Sequence, residues 1–320
     1  MLRIALVATF LTAACQAAQV PLPSHGGVVR LIVTGDAGST HSQLRAGILA
    51  LQKRMPIDGI VLAGDNFYPC GISSLNDPQW SKITQHFGPA NIPIFAVLGN
   101  HDYGDPNPPA GVPRLTCGHP DPAAEVEANG KVPHWVFPAR HYVVGNDLAE
   151  LVMLDSQPIA SGWSKGFLGS DTAAQEKAWL AGKLAGRDRR WRIVVGHHTM
   201  FSSGIHGRQN GTNQRNMRGL LPLLRSAHVD AYICGHDHDM EMLGDLKPSG
   251  GPLFVVSGAG SGLDEMQPRT AAGEPRDIWS PMPRAPFYGF ALLEISRSEL
   301  AVTFYDAAGN AASERLVRRR

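Results

Sequence analysis

Val229-Asp230-Ala231-Tyr232-Ile233-Cys234-Gly235-His236-Asp237-His238 is an apolar run that breaks at a glycine and then presents two imidazoles one residue apart. The run reads as a buried strand. In extended chain, residues i and i+2 point the same way. Two neutral imidazoles on one side of a strand end suit a divalent or trivalent cation. A Gly-His-x-His string is weak evidence alone, because a single histidine after a strand is often a satisfied core residue. Its weight here comes from four other strand ends of the same construction.

Outward from that stretch the pattern repeats. Val28–Val33 ends at Thr34-Gly35-Asp36-Ala37-Gly38, and Gly59–Ala63 ends at Gly64-Asp65-Asn66-Phe67-Tyr68. Ile92–Leu98 ends at Gly99-Asn100-His101-Asp102, and Arg192–Val195 at Gly196-His197-His198. Between them lie helical patterns: Leu44, Ile48 and Leu51; a short helix within 77–87; and Trp179, Leu180 and Leu184 behind a Thr172/Gln175 capping box. Near-continuous apolar runs alternating with helices indicate strands covered on both faces. In open α/β sheets, ligands sit beyond the carboxyl ends of the strands, where these polar clusters stand.

Leu151–Leu154, ending at Asp155-Ser156, Pro252–Ser257 and a terminal hairpin of Phe290–Ile295 with Leu300–Phe304 add further strands. About nine strands are too many for a simple flat sheet, so two packed sheets with outer helices are expected in an α/β fold. Pro222 must start or split the helix of Met217, Leu220, Leu221 and Leu224. Residues 103–140, 199–213 and 262–287 read as loops, and one domain is expected over 26–317.

The chain has 320 residues, 29 of them basic and 28 acidic, which gives no general attraction to nucleic acid or anionic membrane. The basic tail Arg315, Arg318, Arg319 and Arg320 is expected to be a solvated end. Residues 1–18 are different. Arg3 precedes the apolar Ile4–Leu11, and small residues follow through Ala18, as in a secretory signal. The apolar segment is too short to span a bilayer. Cys15 after Thr12-Ala13-Ala14 also resembles a lipoprotein processing site, so a lipid anchor there is the variant of this reading. The expectation is an exported protein, periplasmic or secreted; a buried N-terminal helix is the alternative. Export permits disulfides. With Cys15 removed or lipidated and Cys234 a core thiol, Cys70 and Cys117 are the expected bridge.

Asp36, Asp65, Tyr68, Asn100, His197, His236 and His238 are thus two carboxylates, a phenol, an amide and three imidazoles at strand ends. Each has a bland reading alone: helix cap, turn closure, packing or core histidine. Five such clusters at five strand ends make the bland account untenable.

Together the five clusters resemble the signature blocks of the calcineurin-like metallophosphoesterases, in the family's order. More narrowly they are similar to the small single-domain purple acid phosphatases, the tartrate-resistant type. The resemblance implies a four-layer αββα sandwich of two mixed sheets. The broad family usually has a histidine two residues after the first aspartate; here Gly38 stands there and Tyr68 can supply the lost ligand. Phenolate is a hard donor suited to Fe(III).

By resemblance, a first metal takes Asp36, Asp65, Tyr68 and His238, and a second takes Asp65, Asn100, His197 and His236. The second ion would be Fe(II), Zn or Mn. The implied reaction is hydrolysis of a small phosphate ester by metal-bound hydroxide. His101 and His206 resemble the family's catalytic outer histidines, Asp102 is expected to orient His101, and His198 to support or pack. Asp237, Asp239 and Glu241 are expected to be structural or solvated. The leading expectation is an acid phosphatase acting on phosphomonoesters. A phosphodiesterase or nucleotide hydrolase of the same fold, and a metal-stabilised binding protein without turnover, are the alternatives. The natural ester and the oligomeric state are not carried by these motifs.

Overall fold

The computed structural model describes residues 19–39, 43–104, 120–186, 190–209, 211–244, 251–264, 277–279 and 287–320. The strands are β1 (Val20–Pro21), β2 (Val29–Thr34), β3 (Gly59–Ala63), β4 (Ile94–Val97), β5 (Trp135–Val136), β6 (Tyr142–Gly145), β7 (Ala149–Met153), β8 (Trp191–Val195), β9 (Ala231–Cys234), β10 (Met240–Leu243), β11 (Leu253–Ser257), β12 (Asp277–Trp279), β13 (Gly289–Ile295), β14 (Glu299–Asp306) and β15 (Leu316–Arg319). The helices are α1 (Leu44–Gln52), α2 (Trp80–His86), α3 (Pro122–Glu127), α4 (Gln157–Ser161), α5 (Ala173–Lys183), α6 (Ile205–Gln209), α7 (Thr212–Arg218) and α8 (Leu221–Ser226).

The strands form two mixed sheets. One runs β1-β6-β7-β8-β9-β11-β10-β12 and the other β15-β14-β13-β2-β3-β4-β5. In the first, β7, β8, β9 and β11 are parallel neighbours. In the second, β2, β3, β4 and β5 are. The five strands with polar ends therefore lie in two parallel blocks, three in one sheet and two in the other.

Side-chain alternation explains the layers. In the eight-stranded sheet Leu151, Met153, Ile193, Val195, Ala231, Ile233 and Val255 join one core with the residues of β2, β3, β4 and β13. The intervening Val152, Val194, Tyr232, Cys234 and Val256 join a second core with Leu180, Met217 and Leu224 from α5, α7 and α8. α1 and α2 pack Ile48, Leu51 and Ile83 into the first core, on the seven-stranded side. The result is the expected helix–sheet–sheet–helix layering.

α5 carries the expected Thr172–Gln175 capping box, and Pro222 stands in the first turn of α8, separating it from α7. Short elements escaped the sequence reading. The stretch 103–140 holds α3 and β5 in its described part, and β1, β6, β10, β12 and β15 were also unforeseen. β1 and the last residues of β15 extend the sheets beyond 26–317 on both sides.

The basic tail is not a solvated end. Arg318 is buried, donating to Asp230 O at 2.9 Å and Gly251 O at 2.8 Å, and Arg320 pairs with Asp230 at 2.8 Å. The two guanidinium groups thus tie the chain end to the segments where β9 and β11 begin. Arg315, Arg319 and Arg320 stay at the surface, the first two against Glu294 and Glu299. Cys70 is in a disulfide; Cys117 and residues 1–18, with Cys15, lie outside the described residues. Cys234 is a free, buried thiol, as expected. Among the described residues no helix is long and apolar enough to cross a membrane.

Candidate metal centre

The two parallel blocks meet at their carboxyl ends, and the meeting is close. A Cβ on Gly235 would stand 2.3 Å from Asp36 Oδ2, and one on Gly35 would stand 3.0 Å from Gly235 Cα. Only glycine permits this approach. Ser257, at the end of β11, ties the sheets: its Oγ donates to Val33 O at 2.9 Å and accepts Ala291 N–H at 3.2 Å. Asp36, Asp65 and His236 have φ of 57°, 54° and 72°, in the left-handed region. Such strain costs of order 1–3 kcal/mol per residue and persists where surrounding contacts over-determine it.

All seven expected donors converge there. Tyr68 Oη lies 3.0 Å from Asp36 Oδ1, 2.9 Å from Asp65 Oδ2 and 3.2 Å from His238 Nε2. His238 Nε2 is 3.4 Å from Asp36 Oδ1. Beside this group, His197 Nε2 lies 3.0 Å from Asn100 Oδ1, 3.2 Å from His236 Nδ1 and 3.5 Å from Asp65 Oδ2. Separations of 2.9–3.5 Å between donors are those of a shell about 2.1 Å from a central ion. Asp65 Oδ2 is common to both groups. The residues therefore fit metal ions by donor type, by spacing and by tautomer. His197 Nδ1 is 2.8 Å from Ala63 O, an acceptor for its proton that leaves Nε2 facing the other donors.

The position where the broad family has a histidine has no room for one. A Cβ on Gly38 would stand 2.3 Å from the Asn66 carbonyl carbon. Tyr68 reaches the same group of donors from the next strand end.

The crowding of carboxylates and imidazoles at the site shifts their ionisation. Burial opposes ionisation of His197, yet the Asp65 carboxylate beside it pushes its pKa up to about 10. Burial likewise opposes His238, and Asp36 raises it to about 9. Burial opposes the charge on Asp65 too, but His197 and His101 hold its carboxyl well below the usual range. Burial, then Asp36 and Asp65, push the Tyr68 phenol well up. Burial and the surrounding histidines push His236 down.

The outer residues sort differently. His101 donates its backbone N–H to Asp65 Oδ1 at 2.9 Å, and its Nδ1 is 2.5 Å from Pro69 O. Its Nε2 is left on the donor side, 3.9 Å from Asp65 Oδ2. His206 stacks on His236, ring centres 3.9 Å apart. Asp102 does not orient the His101 ring. Its buried carboxylate accepts the backbone N–H groups of Gly99, Asn66 and Phe67 at 2.8–3.2 Å, bracing two turns at once. Burial and then the Asp65 charge raise its pKa to about 7. His198 is buried, with Nδ1 2.9 Å from Ser156 Oγ. Asp237, Asp239 and Glu241 are buried, none of them solvated.

Sequence reasoning missed Ser156, whose Oγ accepts the N–H groups of His197 and His198 at 3.0 and 3.2 Å. It also missed Asp264, which accepts His238 N–H at 3.1 Å. Ser156 follows a strand end, β7, that lacks the glycine of the other five; Asp264 sits in a stretch read only as loop. One other group among the described residues has metal-like spacing: His141, Asp171 and Glu176. There His141 Nδ1 already bonds Glu176 at 2.8 Å and stacks on Trp179, a self-sufficient ion pair.

Comparison with known proteins agrees. Residues 29–240 match the model of the calcineurin-like phosphoesterase family. Purple acid phosphatase 4 of Arabidopsis thaliana is 29% identical over 316 residues, covering 90% of this chain and 83% of that one. Tartrate-resistant acid phosphatase type 5 of Sus scrofa is 26% identical, covering 88% and 84%. Among solved structures, the fold is similar to GAP50, the anchor in the inner membrane complex of Plasmodium, with TM-score 0.70, 21% identity and coverage of 91% and 89%. It is also similar to purple acid phosphatase PPD1 of yellow lupin (Lupinus luteus) seeds, with TM-score 0.67, 19% identity and coverage of 94% and 55%. With the fold and the two donor groups in place, these likenesses lead to one statement: the chain is a metal-dependent phosphatase and belongs to the calcineurin-like phosphoesterase family.

Proposed function

We propose that the protein is an exported acid phosphatase that cleaves small phosphomonoesters at a pair of metal ions. The observation that carries this is Asp65 Oδ2, 2.9 Å from Tyr68 Oη on one side and 3.5 Å from His197 Nε2 on the other. Asp65 thus stands between two donor groups, each of which would hold one ion. In this reading Asp36, Asp65, Tyr68 and His238 hold Fe(III), and Asp65, Asn100, His197 and His236 hold Fe(II), Zn or Mn. Bound there, the pair would lower the pKa of water and neutralise phosphoryl charge.

The chain's own groups complete the work. His101, its Nδ1 proton held by Pro69 O, would in its doubly protonated form pass the Nε2 proton to the leaving alkoxide and be left neutral. His206, half-buried beside His236, stands where it can bond a phosphoryl oxygen or share that proton. Asp102 keeps the Asp65 and Asn100 turns in register rather than exchanging protons. His198 with Ser156 supports the His197 turn. We further propose that 26–317 is one folded unit, that Cys70 pairs with Cys117, and that residues 1–18 are an export signal, with Cys15 as the lipid-anchor variant.

Metal analysis with a visible spectrum of the purified protein tests this, together with hydrolysis of 4-nitrophenyl and bis-4-nitrophenyl phosphate. A pair of metals, a tyrosinate band lost in Tyr68→Phe, and preference for the monoester are expected. A preference for the diester would move the assignment to a phosphodiesterase. A colourless protein that hydrolyses neither ester would end it.

A further inference from the structure

We infer that Asp237 and Glu241 are positioning residues that hold His206 over the donor site. The chain bends at His236, φ 72°, and the intervening Asp237, before His238, faces the 202–207 loop. While the two imidazoles turn to the donors, the buried Asp237 carboxylate accepts His206 N–H at 2.8 Å and Gly207 N–H at 3.2 Å. It thereby takes two of the open N–H groups in the first turn of α6.

Four residues further on, buried Glu241 grips the other end of the same loop. Its Oε1 accepts Ser203 N–H at 2.7 Å and Ser202 Oγ–H at 2.9 Å, and Ser202 Oγ accepts Gly204 N–H at 2.8 Å. The loop lies hard against the acids: a Cβ on Gly204 would stand 2.5 Å from Asp237 Cγ and 2.6 Å from Asp239 Oδ2. So 202–207, part of the 199–213 stretch read as loop, is bolted to the segment that carries His236 and His238. The His206 ring stacks on His236 at 3.9 Å, planes 23° apart, as a consequence. A charge-assisted bond to a buried carboxylate is stronger than a neutral one, so these grips can outweigh the loop's entropy.

The inference rests on the proposed role of His206 and has one arm that does not. Amide hydrogen exchange of the full chain is compared with Asp237→Ala and Glu241→Gln. Faster exchange at His206 and Gly207 in the first, and at Ser203 in the second, by about 10-fold or more supports the grip. Unchanged exchange in both overturns it. In the metal-loaded protein, Asp237→Ala should lower kcat for 4-nitrophenyl phosphate about 10-fold with KM nearly constant and metal content unaltered. Placed in a His206→Ala background, the same change should have less than about a 2-fold effect. An equal loss in both backgrounds overturns the inference, because Asp237 would then act elsewhere. If Asp237→Ala sheds metal, Glu241→Gln, which adjoins no donor, decides by the same cycle. Should the native protein hydrolyse no ester, the functional reading has failed, and the exchange arm alone supports or overturns the grip.

Discussion

The two sheets bring different chemistry to their meeting point. The seven-stranded sheet supplies oxygen: Asp36 after β2, Asp65 and Tyr68 after β3, Asn100 after β4. The eight-stranded sheet supplies nitrogen: His197 after β8, His236 and His238 after β9. Neither half has a complete set of donors for either proposed ion. Metal affinity is therefore a property of sheet-on-sheet packing, and an ion held there would clasp the sheets together. Asp65 belongs to the oxygen half by sequence and to both halves by position.

The comparison can be broken most severely at that residue. Asp65→Ala should empty both proposed positions and reduce turnover to background, read by metal content and ester hydrolysis; an active variant with one metal would show that the halves do not share a donor.

Next come the two outer histidines, one from each half. His101→Ala and His206→Ala should each keep the metals and slow turnover by about 10²–10⁴-fold, the range for acid–base groups. A steady-state assay beside metal analysis separates this from loss of the site. Unchanged turnover in His101→Ala would remove it from the chemistry.

A smaller effect sharpens the electrostatic side. In the ion-free protein, His197 and His238 have pKa values raised from 6.5 to about 10 and about 9. A raised imidazole pKa means the folded state binds the proton more tightly than the unfolded chain does. That stability is full below about 6.5 and is lost as pH rises towards 9–10. Chelated protein should thus melt at falling temperature across this window, while metal-loaded protein should not. Binding at 100 times Kd adds about 2.7 kcal/mol. Parallel calorimetric pH series would show it; identical slopes with and without metal would count against it.

The smallest effect lies away from the donors. Burial, then Glu176, raise the Asp155 pKa from 3.8 to about 7. Here the raised group is an acid, so its burial cost is absent below 3.8 and fully present above about 7. Asp155→Asn keeps an acceptor for the Tyr103 hydroxyl and should gain about 1–3 kcal/mol at pH 7 but not at pH 4. Denaturant unfolding at the two pH values checks the sign.

Legibility followed the same division. The central strands were readable because a strand covered on both faces must be apolar throughout, and Gly then marks its end. Edge strands were not. Trp135–Val136 and Val20–Pro21 are only two residues each, and a ladder partner rather than composition makes them strands. Met240–Leu243 contains Glu241, whose charge argued for solvent until its partners, the Ser202 hydroxyl and Ser203 N–H, were in place. Arg318 looked like tail for the same reason: only the fold brings the Asp230 and Gly251 carbonyls to it.

By itself the sequence determined the kinds of donors, their order and their strand-end placement, because ligand chemistry and parallel-strand burial are both local constraints on residue type. Only the tertiary structure decided which donors share a shell, which carboxylates brace turns and which histidine is held over the site. Those outcomes depend on distances across two packed sheets, set by the glycine contact at Gly35 and Gly235, and no single stretch of chain contains them.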